Sequence, residues 1–299
     1  MPYSIYSERS QMPILETQNL TYVYGEGTPF RITAVEDVNI SVEKGEFVGI
    51  IGHTGSGKST LVQHLNGLLK PTAGKIFLNG EDIHSSKELT RAARFKVGLC
   101  FQYPEYQLFE STVYRDIAFG PKNMGLSEAQ VKEAVLRAAE FVGIHKDWLE
   151  KSPFDLSGGE KRRVAIAGVM AMEPEILILD EPTAGLDPRG RARLSDMIEN
   201  YRLTTGKTVI IVSHSMDDVA AFASKVIVMD HGHTALVGTV GEVFRQVDRL
   251  LSIGLDVPQI TRIFLNLKEQ GLPVRTDIYT VEAAKRELLR VLRERGAVQ

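Results

Sequence analysis

The sequence predicts an α/β fold built around a parallel β-sheet with helices on both faces. Three short segments are apolar throughout, namely Ile176 to Leu179, Val209 to Val212 and Val226 to Met229. Strands buried on both faces have this composition, because helices cover each side of a parallel sheet. A fourth apolar segment, Phe47 to Ile51, leads directly into a glycine-rich loop and a helix predicted from Lys58 to about Leu69.

An antiparallel β-subdomain and a helical insert are predicted as additions to this core. Leu15 to Tyr24 alternates apolar and polar residues, and so does Ala34 to Val42 after a turn at residues 25–29, as half-buried antiparallel strands do. From Tyr103 to about Ser157 the chain changes to helices and loops, with a capping box at Ser127 to Gln130. We place the insert at about residues 103–160.

The chain beyond Gly238 is again predicted to be helical. Three helices are expected, at Val243 to Leu251, Ile260 to Leu267 and Val281 to Leu292, with Gly271 and Gly296 where helices commonly end. The sequence therefore predicts a nucleotide-binding domain at residues 12–235, argued below, and a C-terminal appendage at residues 236–299.

Composition and charge indicate a globular protein without a nucleic-acid partner. The 299 residues are 43% hydrophobic and 24% charged, with a net charge of −3, so no overall basic field attracts nucleic acid or anionic lipid. No segment approaches the roughly 18 uninterrupted apolar residues of a membrane span, and Met1 to Met12 is too polar for a signal peptide. The single cysteine, Cys100, suits a reducing compartment and is expected to be buried. We expect a cytoplasmic protein that meets a membrane only through partners.

The glycine-rich loop has the spacing of a phosphate-binding P-loop. Four residues separate Gly52 from the run Gly57-Lys58-Ser59. Glycines let successive N–H groups surround an anion, and the following helix contributes the positive end of its dipole. We expect Lys58 to contact the β- and γ-phosphates of ATP and the Ser59 hydroxyl to bind Mg²⁺. The nucleotide contacts predicted in this loop are Gly52, Thr54, Gly55, Ser56, Gly57, Lys58, Ser59 and Thr60.

Two carboxylates end the apolar strand at Ile176 to Leu179. Asp180 and Glu181 follow it directly, and burying such charges without partners is costly. A magnesium ion and a water molecule would provide the partners. We expect Asp180 to bind Mg²⁺ and Glu181 to orient or deprotonate the attacking water.

The segment from Leu156 to Arg163 resembles the signature motif of the ABC ATPase family. It contains Ser157-Gly158-Gly159, follows the helical insert, and precedes the strand that delivers Asp180 by one helix length, which is the order of motifs in that family. The resemblance covers about residues 12–235. It implies a P-loop NTPase core with an antiparallel β-subdomain, a helical insert and a small C-terminal helical appendage.

The resemblance assigns roles to further residues. Gln102 matches the glutamine that touches Mg²⁺ and the attacking water, Asp187 lies in the matching D-loop, and His214 matches the histidine that senses the γ-phosphate. Without the resemblance, His214 is better explained as a core histidine. Tyr24 lies where the family stacks an aromatic ring on adenine, although Tyr22 is one pleat repeat away.

The family also implies how such chains act. Two subunits pair head to tail, and Ser157, Gly158 and Gly159 of one close on the γ-phosphate held by the P-loop of the other. The implied chemistry is phosphoryl transfer from ATP to water with Mg²⁺ bound. A lone chain would hydrolyse ATP poorly, because half of each site is missing.

The segment from Phe101 to Glu110 resembles that of ATPase subunits in energy-coupling factor (ECF) transporters. Its three aromatic residues after Gln102 suggest a groove for a partner helix, with Glu105 or Glu110 available to an arginine; the alternative is that the rings pack inside the insert. The stretches His53-Thr54 and Gly254 to Gln259 share the resemblance, which is greatest to the second of the paired ATPases.

That resemblance implies an importer of vitamins or metal ions on the cytoplasmic face of the cell membrane. Its partners would be a second ATPase subunit, with a heterodimer favoured over a homodimer, a transmembrane scaffold, and a separate substrate-binding membrane protein. The C-terminal helices would expose an apolar stripe to the second ATPase, or else fold back on the core.

Two alternatives are an ATPase of a conventional ABC importer and a soluble ABC-type ATPase of DNA repair or translation. The second conflicts with the single uninterrupted cassette, because repair proteins carry a long coiled coil within it and translation proteins carry two cassettes.

Overall fold

The computed structural model describes residues 12–294; the polar segment before Met12 and the helix end predicted at Gly296 lie outside that range. The described strands are β1 (Leu15–Tyr24), β2 (Ile32–Val42), β3 (Phe47–Ile51), β4 (Ala73–Leu78), β5 (Glu81–Asp82), β6 (Val97–Cys100), β7 (Ile176–Asp180), β8 (Thr208–Val212), β9 (Lys225–Asp230) and β10 (His233–Thr239). The α-helices are α1 (Lys58–Leu65), α2 (Lys87–Lys96), α3 (Val113–Asn123), α4 (Glu128–Phe141), α5 (Gly158–Met170), α6 (Pro188–Thr205), α7 (Met216–Phe222), α8 (Val240–Phe244), α9 (Val247–Ser252), α10 (Gln259–Glu269) and α11 (Val281–Glu294). This order confirms the predicted α/β class.

The strands form two sheets. The first is antiparallel, in the order β2-β1-β4-β5. The second has the order β10-β9-β3-β8-β7-β6, in which all neighbours are parallel except the edge strand β10. Parallel strands bring their carboxyl ends to one edge of the sheet, where open α/β folds bind their ligands.

The central sheet is buried on both faces, as its apolar strands predict. In β7, Leu177 and Leu179 pack into the cluster that includes the helical insert. Ile176 and Ile178 point to the opposite cluster, which includes α1 and the antiparallel sheet. Alternate side chains of one strand therefore hold the two layers together, which fixes the position of the loops that follow each strand.

The helical insert consists mainly of α3 and α4, and α5 packs against both of them. The predicted capping box is present at the start of α4, where Gln130 accepts a hydrogen bond from the Ser127 N–H at 3.0 Å. Val131 and Val135 on this helix are buried as expected from their helical spacing. Cys100, at the end of β6, is buried, and burial raises the pKa of its thiol to about 12.

Two predicted helices differ from the structure. α1 ends at Leu65 rather than near Leu69 because Gly67 takes a left-handed conformation at φ +74°, which terminates a helix. The segment expected as one helix at Val243 to Leu251 is divided into α8 and α9. Gln246 has φ −86° and ψ 54° between them, outside the helical region.

The C-terminal segment packs in two parts. Strand β10 continues the central sheet through Thr239, across the boundary placed at residue 235, so we propose that the appendage begins at Val240. Helices α8 and α9 pack on β9 and β10, whereas α10 and α11 share a small apolar cluster of their own. Within residues 12–294, no helix combines the length and apolar character required to cross a bilayer.

Candidate active site

Four neighbouring strands deliver the candidate site residues to one edge of the central sheet. β3 leads into the P-loop, β8 leads to His214, β7 ends at Asp180 and Glu181, and β6 precedes Gln102. Gln102, Glu181 and His214 line the same cleft. The topology therefore brings together residues that are up to 162 positions apart in the sequence, counting from Gly52 to His214.

The P-loop is folded tightly against the rest of the domain. A side chain at Gly57, which has φ +98°, would place its Cβ 2.5 Å from the Ala34 carbonyl oxygen, and a Cβ at Gly52 would lie 2.4 Å from the Met229 carbonyl oxygen. Glycine is therefore required at both positions. Thr54 and Gly55 are exposed at the rim of the loop, whereas Ser56 is buried.

Lys58 folds back over the P-loop. Its Nζ donates hydrogen bonds to the carbonyl oxygens of Gly52 at 2.7 Å and His53 at 2.9 Å. Burial lowers the pKa of Lys58, while the carboxylates of Glu181 and Asp180 act in the opposite direction. The ammonium group is thus held at the loop and within the electrostatic field of both carboxylates.

The two carboxylates occupy different environments. Asp180 is buried, which raises its pKa, while a hydrogen bond from the Ser59 side chain opposes that change. Glu181 has φ +51°, a sparsely populated conformation for glutamate, and its N–H donates to the Val212 carbonyl oxygen at 2.9 Å.

The pKa of Glu181 is shifted toward neutrality. Burial raises it to about 7, although a hydrogen bond from the His214 backbone opposes the shift. His214 Nε2 lies 3.1 Å from Glu181 Oε1, yet this buried oxygen accepts no hydrogen bond from the described residues, so the contact lacks hydrogen-bond geometry. A buried oxygen without a donor suits an attacking water molecule.

His214 is not a core histidine. Its side chain is 51% exposed, and it follows β8 into the cleft. Partial burial and the positive charge of Lys58 lower the pKa of His214, while the negative charge of Asp180 opposes this change. The ring is therefore neutral at pH 7 and available to exchange hydrogen bonds with a ligand.

The donor set around Asp180 fits a magnesium ion. Mg²⁺ is bound in proteins by one or two oxygen ligands together with phosphate oxygens and water. The Ser59 hydroxyl and the Asp180 carboxylate are already in contact, and Gln102 is exposed in the adjoining cleft. These three are the residues predicted as Mg²⁺ ligands.

The structure distinguishes Tyr24 from Tyr22. Tyr22 packs against His64, with ring centroids 4.6 Å apart, whereas Tyr24 is 42% exposed. The Tyr24 hydroxyl lies 3.4 Å from the Thr60 hydroxyl at the start of α1. Tyr24 is therefore the ring available to a nucleotide base.

The signature residues lie apart from the cleft of Glu181. Ser157, Gly158 and Gly159 are exposed at the start of α5 and do not line that cleft. A Cβ at either glycine would meet nothing within 4 Å, so packing within this chain does not require glycine there. The Asp187 carboxylate accepts a hydrogen bond from the Gly190 N–H at 2.6 Å and caps α6.

Arg162 was not among the residues predicted from the sequence. This residue of α5 forms a bidentate ion pair with Glu105, at 3.0 Å from Nε and 2.7 Å from Nη2. Its Nη1 also donates to the carbonyl oxygens of Pro182 at 3.1 Å and Ala184 at 2.6 Å. Arg162 thus joins the segment after Gln102 to the loop after Glu181. Neither residue type nor spacing indicates this ion pair, because the two partners are 57 residues apart in the sequence.

This ion pair corrects one expectation. Glu105 was expected to be available to an arginine of a partner, but Arg162 of the same chain occupies it in a largely buried position. The alternative that the aromatic rings pack inside the insert is wrong for Tyr106 and Phe109, which are 84% and 59% exposed.

We expect kcat/KM for ATP hydrolysis to fall as the pH decreases below about 7. Glu181 can accept a proton only as a carboxylate, and its raised pKa in the nucleotide-free chain means that protonation begins near neutrality. Well below this pKa, the decrease should approach about tenfold per pH unit, because kcat/KM reports ionisations of the free enzyme. Steady-state kinetics across this interval test the expectation, with ATP binding measured separately at each pH. A kcat/KM that is constant through pH 7 would contradict it.

The P-loop, the two carboxylates after β7 and the histidine after β8 together define a P-loop nucleotide-binding protein. The family described as "ABC transporter" matches residues 35–184. Two relatives named "Energy-coupling factor transporter ATP-binding protein EcfA2", from Caldanaerobacter subterraneus and Clostridium acetobutylicum, are 56% and 55% identical. Each alignment covers 94% of this chain and 98% of the relative.

Solved structures agree with these relatives. The structure of cbiO1 from Clostridium perfringens, described as part of the ABC transporter complex cbiONQ, has a TM-score of 0.72 and 38% identity, covering 87% of this chain and 98% of that one. The ATP-binding cassette MJ0796, solved as a dimer with ADP and phosphate, has a TM-score of 0.68 and 27% identity, covering 76% and 98%. The chain belongs to the ABC transporter family, among the ATP-binding subunits of energy-coupling factor transporters.

Proposed function

We propose that this chain binds ATP with Mg²⁺ and hydrolyses it as one of two paired ATPase subunits of an ECF importer. The observation that supports this proposal most directly is the meeting of Lys58, Asp180, Glu181 and His214 at the carboxyl edge of the central sheet. Its relatives of 55–56% identity carry the name of ECF transporter subunits.

The residues of the site divide the chemistry among them. The P-loop amides and Lys58 bind the phosphates, and Tyr24 stacks on the adenine. Ser59, Asp180 and Gln102 hold Mg²⁺, which when bound neutralises charge on the β- and γ-phosphates. Glu181, with its pKa raised to about 7, accepts a proton from the attacking water.

His214 and the loop after Glu181 complete the positioning of the γ-phosphate. The exposed imidazole of His214 lies 3.1 Å from Glu181 Oε1, so one side chain can contact both the γ-phosphate and the base. Phosphoryl transfer depends mainly on such positioning and on stabilisation of charge. We therefore assign His214 to the sensing of the γ-phosphate.

Each chain supplies half of two active sites. The N–H groups at the start of α5 form a phosphate-binding helix end, but Ser157, Gly158 and Gly159 face solvent rather than the cleft of their own chain. Glycines with open space around them allow the backbone of this helix to approach a ligand held elsewhere. The partner is a second ATPase subunit whose P-loop holds that ligand, and we assign Asp187, the N-cap of α6, to the same contact.

The C-terminal helices offer a second surface to the paired ATPase. α11 buries Ala284 and Val291 against the local apolar cluster, but Val281, Leu288 and Leu292 are 71%, 38% and 39% exposed. Apolar residues at this helical spacing form a stripe that a partner subunit would cover. We favour a heterodimer, because the sequence resembles most the second of two paired ATPases and the relatives carry the name EcfA2.

The membrane side of the complex would contact the segment after Gln102. An apolar groove between this segment, α3 and α5 is lined by Phe95, Leu108, Phe109, Phe119 and Met172. Phe109 and Phe119 meet edge to face, with ring centroids 5.0 Å apart, and both are exposed. A groove with aromatic walls suits a helix of a transmembrane scaffold. Glu110 rather than Glu105 is then the carboxylate available to a basic residue.

The remaining parts of the proposal follow from the type of transporter. The chain acts at the cytoplasmic face of the cell membrane as a peripheral subunit, and a separate membrane protein binds the imported vitamin or metal ion. Nucleic acid is not expected as a partner, since the net charge of −3 provides no overall basic field to attract it.

We expect the double substitution Tyr106→Ala, Phe109→Ala to prevent recovery of membrane partners with the affinity-tagged chain. These exposed rings would form the anchors of the scaffold contact, and anchors of this kind contribute about 2 kcal/mol or more each. The measurement is purification from detergent-solubilised membranes, followed by mass spectrometry of the recovered proteins. ATP binding by the variant should be unchanged.

A matched control is Phe30→Ala, which removes a ring that is 82% exposed in the turn between β1 and β2. This variant should recover the same scaffold, substrate-binding protein and second ATPase as the unaltered chain. Recovery of only soluble proteins by the unaltered chain would overturn the importer proposal. Equal recovery by the double variant would contradict the assignment of this groove to the contact with the scaffold.

A further inference from the structure

Two histidines and an aspartate form a cluster beside the P-loop. His53 Nε2 lies 3.0 Å from Asp230 Oδ1, and His231 Nδ1 lies 2.7 Å from the same oxygen. One potential ligand atom from each residue lies within 4.8 Å of the other two. Within residues 12–294 this is the only group of three such side chains close enough to share a metal ion.

Both ring nitrogens of His53 lie close to oxygen atoms. His53 Nδ1 lies 2.8 Å from the Thr54 carbonyl oxygen, which can only accept a proton. The ionised Asp230 carboxylate, whose Oδ1 lies 3.0 Å from His53 Nε2, also only accepts. A neutral imidazole carries one N–H and cannot donate to both oxygens. With the N–H of a neutral ring on Nδ1, the Nε2 lone pair faces the Asp230 carboxylate, an arrangement that a shared metal ion would stabilise.

The surroundings of His53 favour the metal ion. A histidine that binds a metal usually donates its other N–H to a carbonyl or carboxylate, which fixes the ring and directs the free lone pair toward the metal. Thr54 provides that carbonyl for His53. The Nε2 lone pair then points toward the Asp230 carboxylate, where a second metal ligand already lies.

The turn between β9 and β10 holds the third residue in place. Asp230 pairs with His233 across the two-residue connection His231-Gly232. His231 and Gly232 have φ +44° and φ +82°, which is the conformation of a type I′ turn, where asparagine and glycine predominate. His231 occupies the first of these positions, and its ring is 4.8 Å from that of His53. The side chain of His231 is 81% exposed, so it can rotate to complete a site.

We propose that His53 Nε2, His231 Nδ1 and the Asp230 carboxylate bind one transition-metal ion of the Zn²⁺, Co²⁺ or Ni²⁺ type. Two imidazoles and a carboxylate, with water in the fourth position, are a suitable ligand set for these ions. Tetrahedral bonds of about 2.0–2.1 Å place ligand atoms about 3.3 Å apart. The present separations require only small movements of the two rings.

This ion would connect the P-loop to the turn between β9 and β10. Gly232 already donates to the Ser56 carbonyl oxygen at 3.1 Å, and the His53 carbonyl oxygen accepts from Lys58. The site shares no residue with Ser59, Asp180 or Gln102, and the inference does not depend on the proposed transport function. It predicts a second metal site next to the nucleotide site.

The test is a Zn²⁺ titration of the untagged full chain, stripped of metal and supplied with excess Mg²⁺ to occupy other carboxylates. Competition with a chromophoric chelator measures affinity, and Co²⁺ serves as a probe whose visible absorption reports tetrahedral coordination. We expect one equivalent to bind. His231→Asn should weaken binding at least about tenfold, because even the loss of a partner to a ligand typically costs 10- to 100-fold.

Asparagine suits the left-handed turn position, so His231→Asn should retain the fold. Asp230→Asn is the second variant, and it should weaken binding as well. His233→Asn is the matched control, because its ring is exposed two residues further along the same hairpin and lies outside the cluster; its affinity should equal that of the unaltered chain. No bound Zn²⁺, or equal affinity in all four chains, would overturn the proposal.

Discussion

The substitution Glu181→Gln should reduce the rate of ATP hydrolysis by about 10²- to 10⁴-fold, which is the usual contribution of a positioned general base. The amide keeps the size of the side chain but cannot accept a proton from water. ATP binding should persist, because Lys58 and the P-loop amides are unchanged. The measurement combines phosphate release with nucleotide retention in the complex of both ATPase subunits.

The same variant should accumulate as an ATP-bound pair of subunits. Ser157, Gly158 and Gly159 of each chain are exposed and do not line the chain's own cleft, so we expect a second subunit to bring them to the trapped ATP. Size-exclusion chromatography with and without ATP measures this association. Glu26→Gln is the matched control, since Glu26 lies exposed in the turn at residues 25–29. Undiminished hydrolysis by Glu181→Gln would refute the assigned role, and a monomer that retains ATP beside its partners would refute the shared site.

The substitution Arg162→Ala should lower the free energy of unfolding by about 3–5 kcal/mol, which is typical when one partner of a buried ion pair is removed. Arg162 is 3% exposed, and alanine would leave the Glu105 carboxylate and the carbonyl oxygens of Pro182 and Ala184 without their donor. Chemical denaturation of the isolated chain measures the change. Arg162→Lys should cost less, because lysine keeps the charge but cannot form the bidentate pair.

A double-mutant cycle separates the ion pair from the packing of Arg162. Glu105→Gln and Arg162→Met should each destabilise the chain, and the double variant should lose less than the sum of the two, since no unpaired charge remains. Strict additivity would mean that the pair contributes nothing in itself. The cycle also tests the physical link between the proposed membrane-facing segment and the loop after Glu181, because both are bonded to the same guanidinium group.

Much of the local structure follows from residue patterns of short range. The continuous apolar segments became β3, β7, β8 and β9 with at most one residue of difference at either end, because burial on both faces is visible in composition alone. The capping box at Ser127 marked the start of α4, because its two residues bond to each other within the first turn of the helix. The observed helices differ from the predicted ones at Gly67 and Gln246, where one residue has a non-helical backbone conformation. Such conformations depend on neighbours outside the local sequence pattern.

By itself the sequence determined the fold class, the P-loop, the two carboxylates after β7, and the family resemblance that relates Gln102, His214 and the signature segment to them. Only the tertiary structure decided which groups are close in space: that Arg162 occupies Glu105, that Glu181 is buried with a pKa of about 7, that Tyr24 rather than Tyr22 is free, and that His53 meets Asp230 and His231. The physical reason is that residue type and spacing record local propensity, whereas ion pairs, burial and shared ligands depend on contacts between segments up to 178 positions apart, counting from His53 to His231. Those contacts exist only once the sheet order is set.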